Sequence, residues 1–432
     1  MKVKSNNLPE LKICMLFSLG YEPDILVYPS MEILSYITHF GHRVTWIVSS
    51  EKDQPRQPFS RDGVKVYTAH YHHYSPGDGI LSRIFNKIPH VLRRMRLILS
   101  IFREGKYDLI LVRDDVFSGL IATYLKRRYK IPFVFELTDP LEQEWEMCQI
   151  KQFRPLFWYY LRSRFKKWLS LRLLHQADLV LPISKWLKDD LIKNKGISES
   201  KIMVLPEGAN SKLFFHRERE EEVVEKYQLN EAKVIIYEGT LDKARQLSLL
   251  LQAFSRVSRE RQKARLLMVG DGDDRENLQN LAKELRMVDD VIFTGRVSQS
   301  EVPNFIAAAA IGVSAVPPLS FYKASSPVKM FEYMAMAKPV VANEEIPEHK
   351  EVLEESGGGI LVPFAPEAFA RAIIELLDNP AKAAEMGRRG REWVVKNRSY
   401  EVLARQVEEA YLGLVAGRQV TELKISLPNP AR

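Results

Sequence analysis

Residues 325–342 read S-S-P-V-K-M-F-E-Y-M-A-M-A-K-P-V-V-A, a segment that passes from helical to strand periodicity without an intervening loop. Ser326 is a good N-cap, and Pro327 suits the first helical position, where its missing N–H would have no partner in any case. Met330, Phe331 and Met334 supply one apolar face, and V-V-A reads as a buried strand. Such a helix presents free N–H groups and a positive dipole end to an anion. Lys329 adds positive charge in the first turn, where the dipole alone would not ask for it, and this points to a phosphate. Glu332 stands at i+3 from Lys329, so both can face one cleft, and its carboxylate can accept from sugar hydroxyls. Taken in isolation, the pair reads equally as an exposed Lys–Glu couple on a surface helix.

The neighbouring sequence supplies the context. Upstream, from Lys233, short apolar runs alternate with helical segments: V-I-I-Y-E-G, L-L-M-V-G-D-G, V-I-F-T-G and I-G-V-S-A. An earlier series of the same kind predicts strands at 11–17, 43–48, 64–68, 108–112, 132–136 and 178–181, with a helix over 117–128. Alternation of this kind builds parallel sheets with crossover helices, so the chain divides into two Rossmann-like halves. The stretch P-E-G-A-N-S-K-L-F-F runs from turn residues into a charge run and places the hinge near 206–214. The expected domains are 1–206 and 207–398, the first completed by a helix over about 399–416 and followed by a tail, 417–432; the chain is read as helical from Asn379-Pro380 to about Ala416. In open parallel sheets ligands bind beyond the carboxyl ends of the strands, which makes the cleft between the halves the expected site.

Bulk composition agrees with an enzyme of this size. The chain has 432 residues, 46% of them apolar, too many for one ordinary core. Its net charge of +8 suits phosphates or an anionic membrane surface, and no recognised module argues for nucleic acid. Two cysteines exclude a disulfide framework and fit a reducing compartment. The N-terminus lacks the apolar core of a signal peptide, and no stretch approaches the roughly 18 apolar residues of a spanning helix, so a cytoplasmic protein is expected, soluble or peripheral to a membrane.

Several ordered motifs sharpen the reading. Y-E-G-T-L-D-K-A-R-Q-L-S-L-L-L-Q-A-F, L-L-M-V-G-D-G, V-I-F-T-G-R-V, the opening stretch and G-G-G-I-L-V together resemble the C-terminal half of the family 4 glycosyltransferases of the GT-B fold. K-I-P-F-V-F-E-L-T-D, A-D-L-V-L-P-I-S-K-W-L-K and K-I-M-V-L-P-E-G-A-N resemble its N-terminal half. The resemblance implies an α/β GT-B fold, two Rossmann-like domains facing each other across a cleft. It further implies a retaining, metal-independent transfer of a sugar from a nucleotide-diphosphate donor, with no cofactor. Fixed N–H dipoles and cations can stabilise the leaving diphosphate as a metal would elsewhere. By the same resemblance Ser326, Pro327, Val328 and Lys329 face the diphosphate, Glu332 binds the ribose, and Arg245 takes the position of a diphosphate-binding lysine. Gly295 and Arg296 lie where the base is held, and Gly239, Thr240 and Gly270 complete the donor side. Arg245, Lys329, Glu332 and Asp139 are the expected catalytic set.

The sequence also departs from that family. The common pattern has two glutamates eight positions apart; here the first position is Ala324, as in a subgroup with S-P-x-K, which leaves open what contacts the donor sugar. Thr240 stands where many members have arginine, and Thr138 where a histidine is frequent. Thr138 and Asp139 are expected on the acceptor side, Asp139 either orienting a sugar or closing an Asx-turn before Pro140. Gly20, in S-L-G-Y-E-P-D, permits close approach of a ligand or forms a simple turn. D-G-D-D at 271–274 and H-Y-H-H at 70–73 invite metal readings, but neither has the further ligands or the spacing, and no metal is expected.

Residues 151–172 hold seven basic residues, no acidic one, and aromatics at Phe157, Trp158, Phe165 and Trp168. This is either a basic amphipathic helix for a membrane interface or a crossover helix whose apolar stripe packs on the sheet. A second basic apolar run at 83–103 favours the surface-binding reading. The expected partners are a nucleotide-sugar donor, a glycan or lipid-linked acceptor and an anionic membrane surface. A nucleotide-sugar 2-epimerase and a non-catalytic nucleotide-sugar-binding subunit are the rival functions.

Overall fold

Apolar runs separated by helices bury both faces of a strand only in a parallel sheet covered on each side, and the chain folds into two of these. The computed structural model describes residues 9–20, 29–50, 58–70, 80–150 and 156–418. The first half comprises β1 (Lys12–Gly20), α1 (Pro29–His39), β2 (Arg43–Ser50), β3 (Phe59–Arg61), β4 (Val64–His70), α2 (Ile80–Glu104), β5 (Leu109–Arg113) and α3 (Val116–Tyr129). It continues with β6 (Phe133–Leu137), α4 (Gln143–Ile150), α5 (Leu156–Gln176), β7 (Leu179–Pro182) and α6 (Lys185–Lys195). The second half contains α7 (Glu221–Lys226), β8 (Lys233–Glu238), α8 (Ser248–Glu260), β9 (Ala264–Val269), α9 (Arg275–Glu284), β10 (Val291–Gly295), α10 (Val302–Ala308) and β11 (Ile311–Ser314). After these come α11 (Val328–Ala335), β12 (Val340–Asn343), α12 (Pro347–Ser356), β13 (Gly359–Val362), α13 (Pro366–Asp378), α14 (Pro380–Asn397) and α15 (Tyr400–Val415).

The first sheet has the order β3-β4-β2-β1-β5-β6-β7, parallel except for the edge pair β3/β4. In the second sheet the order is β10-β9-β8-β11-β12-β13, parallel throughout. Strand order reverses beside β1 in one and beside β8 in the other, and such switch points open the crevice where ligands bind. The α/β architecture of two Rossmann-like domains is therefore the one expected.

Two segments join the halves. Ala209 donates its N–H to the Arg398 carbonyl (2.9 Å) and accepts from the Tyr400 N–H (3.1 Å), so the outgoing and returning chains lie side by side. Gly208 is required here, because a Cβ would run into the Arg398 carbonyl. The expected continuous C-terminal helix is broken at this crossing: α14 stops at Asn397, and Ser399 caps α15 through the Val402 N–H (3.4 Å). Beyond the break, Leu403, Val407, Ala410 and Tyr411 join the core of the first half against α1. His42 ties the helix down, accepting from the Leu11 N–H at Nδ1 and meeting Glu408 at Nε2, both at 3.0 Å.

Residues 151–155 lie outside the described residues; the rest of 151–172 belongs to α5, a crossover helix between β6 and β7, but the apolar stripe expected to pack on the sheet does not. The buried side of α5 is Ser163, Ser170, Leu173 and Leu174, while Phe157 (65% exposed), Trp158 (63%), Phe165 (62%) and Trp168 (47%) face outward. Small residues explain the choice of face: Gly119 of α3 lies directly against Leu173, leaving no space for a Cβ. Leu120 and Tyr124 of α3 are also exposed. Among the described residues, no helix is long and apolar enough to cross a membrane.

Candidate active site

The carboxyl ends of both sheets open onto a cavity of about 590 Å³ lined from both halves. On the second-half wall, β8 ends at Glu238 and Gly239 turns the chain with φ +132°, a backbone region that side chains rarely adopt. The turn 243–245 follows, held by the Lys243 N–H donating to Asp273 Oδ1 (2.9 Å). Arg245 lies over the Tyr322 ring, 4.9 Å from its centroid, and Lys329 Nζ lies 4.6 Å from that of Tyr237. Neither cation has a carboxylate within ion-pair distance among the described residues. Burial, then repulsion from Arg245, pushes the Lys329 ammonium down to about 8, against the attraction of Glu238 and Glu332.

Glu332 is 5% exposed and accepts from Gln299 Nε2 (3.2 Å). Burial and contact with the Glu238 side chain hold its carboxyl well above the ordinary range. The Glu238 N–H donates to the Tyr333 hydroxyl (2.9 Å), which fixes the strand end over α11. Helix α11 begins at Val328 with Pro327 in the cap position, and no side chain caps it. The expected Ser326 cap is corrected accordingly: Ser326 Oγ accepts from the Glu207 N–H (3.1 Å) and donates to Glu348 Oε1 (3.3 Å). Arg398 Nη2 holds that same Glu348 oxygen at 3.1 Å.

The opposite wall is built from strand ends of the first half. Arg113 closes β5 and donates to Glu136 Oε1 (2.7 Å), to Ser30 Oγ and, at 3.4 Å, to Glu207 Oε1. Burial lifts the Glu207 carboxyl to about 7, although Arg113 pulls it down. Thr138, on the lining, is tied to its neighbour: its N–H donates to Asp114 Oδ1 (2.8 Å) and its hydroxyl to Oδ2. Asp139 also lines the cavity, its carboxyl raised to about 6 by burial and by the charge of Asp114. Glu32, fixed by Asn210 Nδ2 (3.0 Å), and Tyr400 of α15 complete this side.

Of the residues singled out in the sequence, the cavity brings together Thr138, Asp139, Gly239, Thr240, Arg245, Ser326, Pro327, Val328, Lys329 and Glu332. It does not reach Gly270, Gly295 or Arg296. Gly270 donates to the Gly295 carbonyl (3.1 Å), and a Cβ on it would strike the Gly239 carbonyl, so these glycines let three strand-end turns pack together. Arg296 points to solvent. Ala324 is completely buried in the core of the first half. Gly20 ends β1; the loop that follows it and His72 and His73 lie outside the described residues. The aspartates at 271–274 serve the fold, with Asp271 Oδ1 accepting from the Gly272 N–H (2.9 Å), and no metal-sized cluster of ligands occurs among the described residues. Arg113, Glu207, Glu238, Gln299 and Tyr322 are additions that sequence reading passed over. Glu207 and Glu238 carried a signal, each being an acidic residue between an apolar run and a glycine.

Comparison with known proteins follows the same division. Residues 31–213 match the family described as Glycosyltransferase Family 4, and residues 219–393 match Glycosyl transferases group 1. The alpha-monoglucosyldiacylglycerol synthase of Streptococcus pneumoniae is 24% identical over 73% of this chain and 69% of its own length. A GDP-mannose-dependent alpha-(1-6)-phosphatidylinositol monomannoside mannosyltransferase of Mycolicibacterium smegmatis is 25% identical over 57% of this chain. The matched region spans 65% of that enzyme and 55% of the alpha-D-kanosaminyltransferase of Streptomyces kanamyceticus, which is 23% identical over 50% of this chain. Among solved structures, a sucrose-phosphate synthase from Thermosynechococcus elongatus superposes with a TM-score of 0.74 at 20% identity, covering 94% of this chain and 100% of that one. The Anabaena protein HepE, solved with UDP-glucose, gives 0.67 at 16% identity, covering 92% and 98%.

Proposed function

The chain belongs to the glycosyltransferases of family 4, group 1, and from that premise we propose that it moves a sugar from a nucleoside-diphosphate donor to an acceptor hydroxyl with retention of configuration. One observation carries the reading: Arg245 and Lys329 line the cavity with no carboxylate in ion-pair distance among the described residues, beside the uncapped start of α11, whereas the third cation of the lining, Arg113, is already bound to Glu136 and Glu207. Such cations and free N–H groups at the wall of a cleft suit a diphosphate. Glu332, one turn along α11, is then the ribose ligand.

As the bond from the anomeric carbon to the diphosphate breaks, its electron pair leaves with the diphosphate. The acceptor oxygen bonds to that carbon on the same face, and its proton passes to a diphosphate oxygen. Arg245, Lys329 and the helix start meet the developing charge, so the transfer is proposed to proceed without a divalent cation. The acceptor is proposed to be a glycan or lipid-linked glycan at the cytoplasmic face of a membrane. Support comes from the glycolipids in the names of two relatives and from the outward aromatic and basic face of α5.

The test is incubation with donor and acceptor in EDTA, with the anomeric proton of the product read by NMR. Transfer with the donor's configuration is expected. Inverted product, or a sugar isomer formed from donor alone, contradicts the proposal, the latter favouring an epimerase.

A further inference from the structure

We propose that Glu207 is a ligand for the hydroxyls of the donor's sugar, an inference that rests on the transferase reading above. A sugar attached to a diphosphate at the start of α11 must lie within the same cavity, next to residues 326–328. Position 324 supplies no carboxylate to it, since an alanine stands there, fully buried in the core of the first half. Glu207 lies beside that point, because its own N–H is bound to Ser326 Oγ at 3.1 Å and Ser326 stands two residues before Val328.

The other carboxyls of the lining are engaged or misplaced. Glu238 and Glu332 contact each other, and Glu332 also takes the Gln299 amide. Glu32 is held by Asn210, and Asp139 belongs to the far wall with Gln143. Asp242 sits in the turn that carries Arg245. Glu207 has only the long 3.4 Å contact from Arg113 to Oε1, and no described residue donates to its second oxygen. Its side chain remains 11% accessible, on the cavity side. The backbone is fixed on one wall by Ser326, Glu348 and Arg398, while the side chain faces Arg113 on the other. A carboxyl so placed spans the gap that a sugar ring would occupy, and a carboxylate is a strong acceptor for sugar hydroxyls.

The experiment compares a nucleoside diphosphate with its matching nucleotide sugar by calorimetry, in the unmodified protein, Glu207→Gln and Glu207→Ala. UDP, GDP, ADP and dTDP and their glucose or mannose esters are the probes. Loss of a charged hydrogen bond predicts about tenfold weaker binding of the nucleotide sugar to Glu207→Ala, and a smaller loss for Glu207→Gln. Affinity for the nucleoside diphosphate and the melting temperature of Glu207→Gln should stay unchanged. A parallel loss for both ligands in Glu207→Gln, or no loss for either ligand in Glu207→Ala, overturns the assignment. Absence of binding by every probe to the unmodified protein overturns the transferase reading, and the inference with it.

Discussion

At the scale of the residue, Lys329 has the most direct consequence. With its ammonium pushed down to about 8 by burial and Arg245, it is charged at neutral pH and loses its proton just above. A diphosphate binds the charged form, so above about pH 8 binding must be accompanied by proton uptake, and affinity falls by up to about tenfold per pH unit. Lys329→Arg, which keeps its charge throughout, should flatten the profile; calorimetry of nucleoside diphosphate from about pH 7 to about pH 9 checks this. Lys329 and Glu332 were legible in the sequence because their spacing on a helix start follows from local geometry. Arg113 was not, and Glu207 showed only as an acidic residue before a glycine: their role depends on the meeting of a β5 end, the hinge segment and a loop 119 residues further on.

At the scale of the element, strand and helix order was readable because parallel strands buried on both faces appear as continuous apolar runs. The three-residue edge strand β3, antiparallel and only partly buried, leaves no such trace. Helix α5 shows a different limit. Its apolar stripe fitted either the core or a surface, and the deciding contact is made by Leu173 against Gly119 of α3, about fifty residues earlier, with Ser163 and Ser170 buried on the same side. The exposed row Phe157, Trp158, Phe165 and Trp168 carries Arg164 and Arg172 beside it, with Arg172 4.3 Å from the Trp168 ring. Replacing Trp158, Phe165 and Trp168 together by serine should weaken sedimentation with phosphatidylglycerol vesicles by at least about tenfold and leave the melting temperature unchanged. Added salt should weaken the unmodified protein's binding as well. Equal sedimentation of both proteins would remove α5 from the membrane interface. Helix α4 joins this face to the site, since Trp145 packs on Tyr160 while Gln143 and Met147 line the cavity.

At the scale of the whole molecule, the two halves are connected twice, by the segment through Ala209 and by the Arg398–Tyr400 return that delivers α15 to the first half's core. Between the halves the cations differ in their engagement. Among the described residues Arg245 and Lys329, on the second-half wall beside Glu238, Asp242 and Glu332, make no ion pair, whereas Arg113, on the first with Glu32 and Asp139, is paired. That difference expresses the central claim: the second half holds the donor's diphosphate, and the sugar points across the cleft. The most direct measurement is calorimetric titration of UDP-, GDP-, ADP- and dTDP-sugars into the unmodified protein and into Lys329→Ala and Glu332→Ala. One nucleotide series should bind, and each substitution should weaken it by about tenfold or more without lowering the melting temperature. Failure of all four series to bind, or unchanged affinity in both variants, would contradict the account.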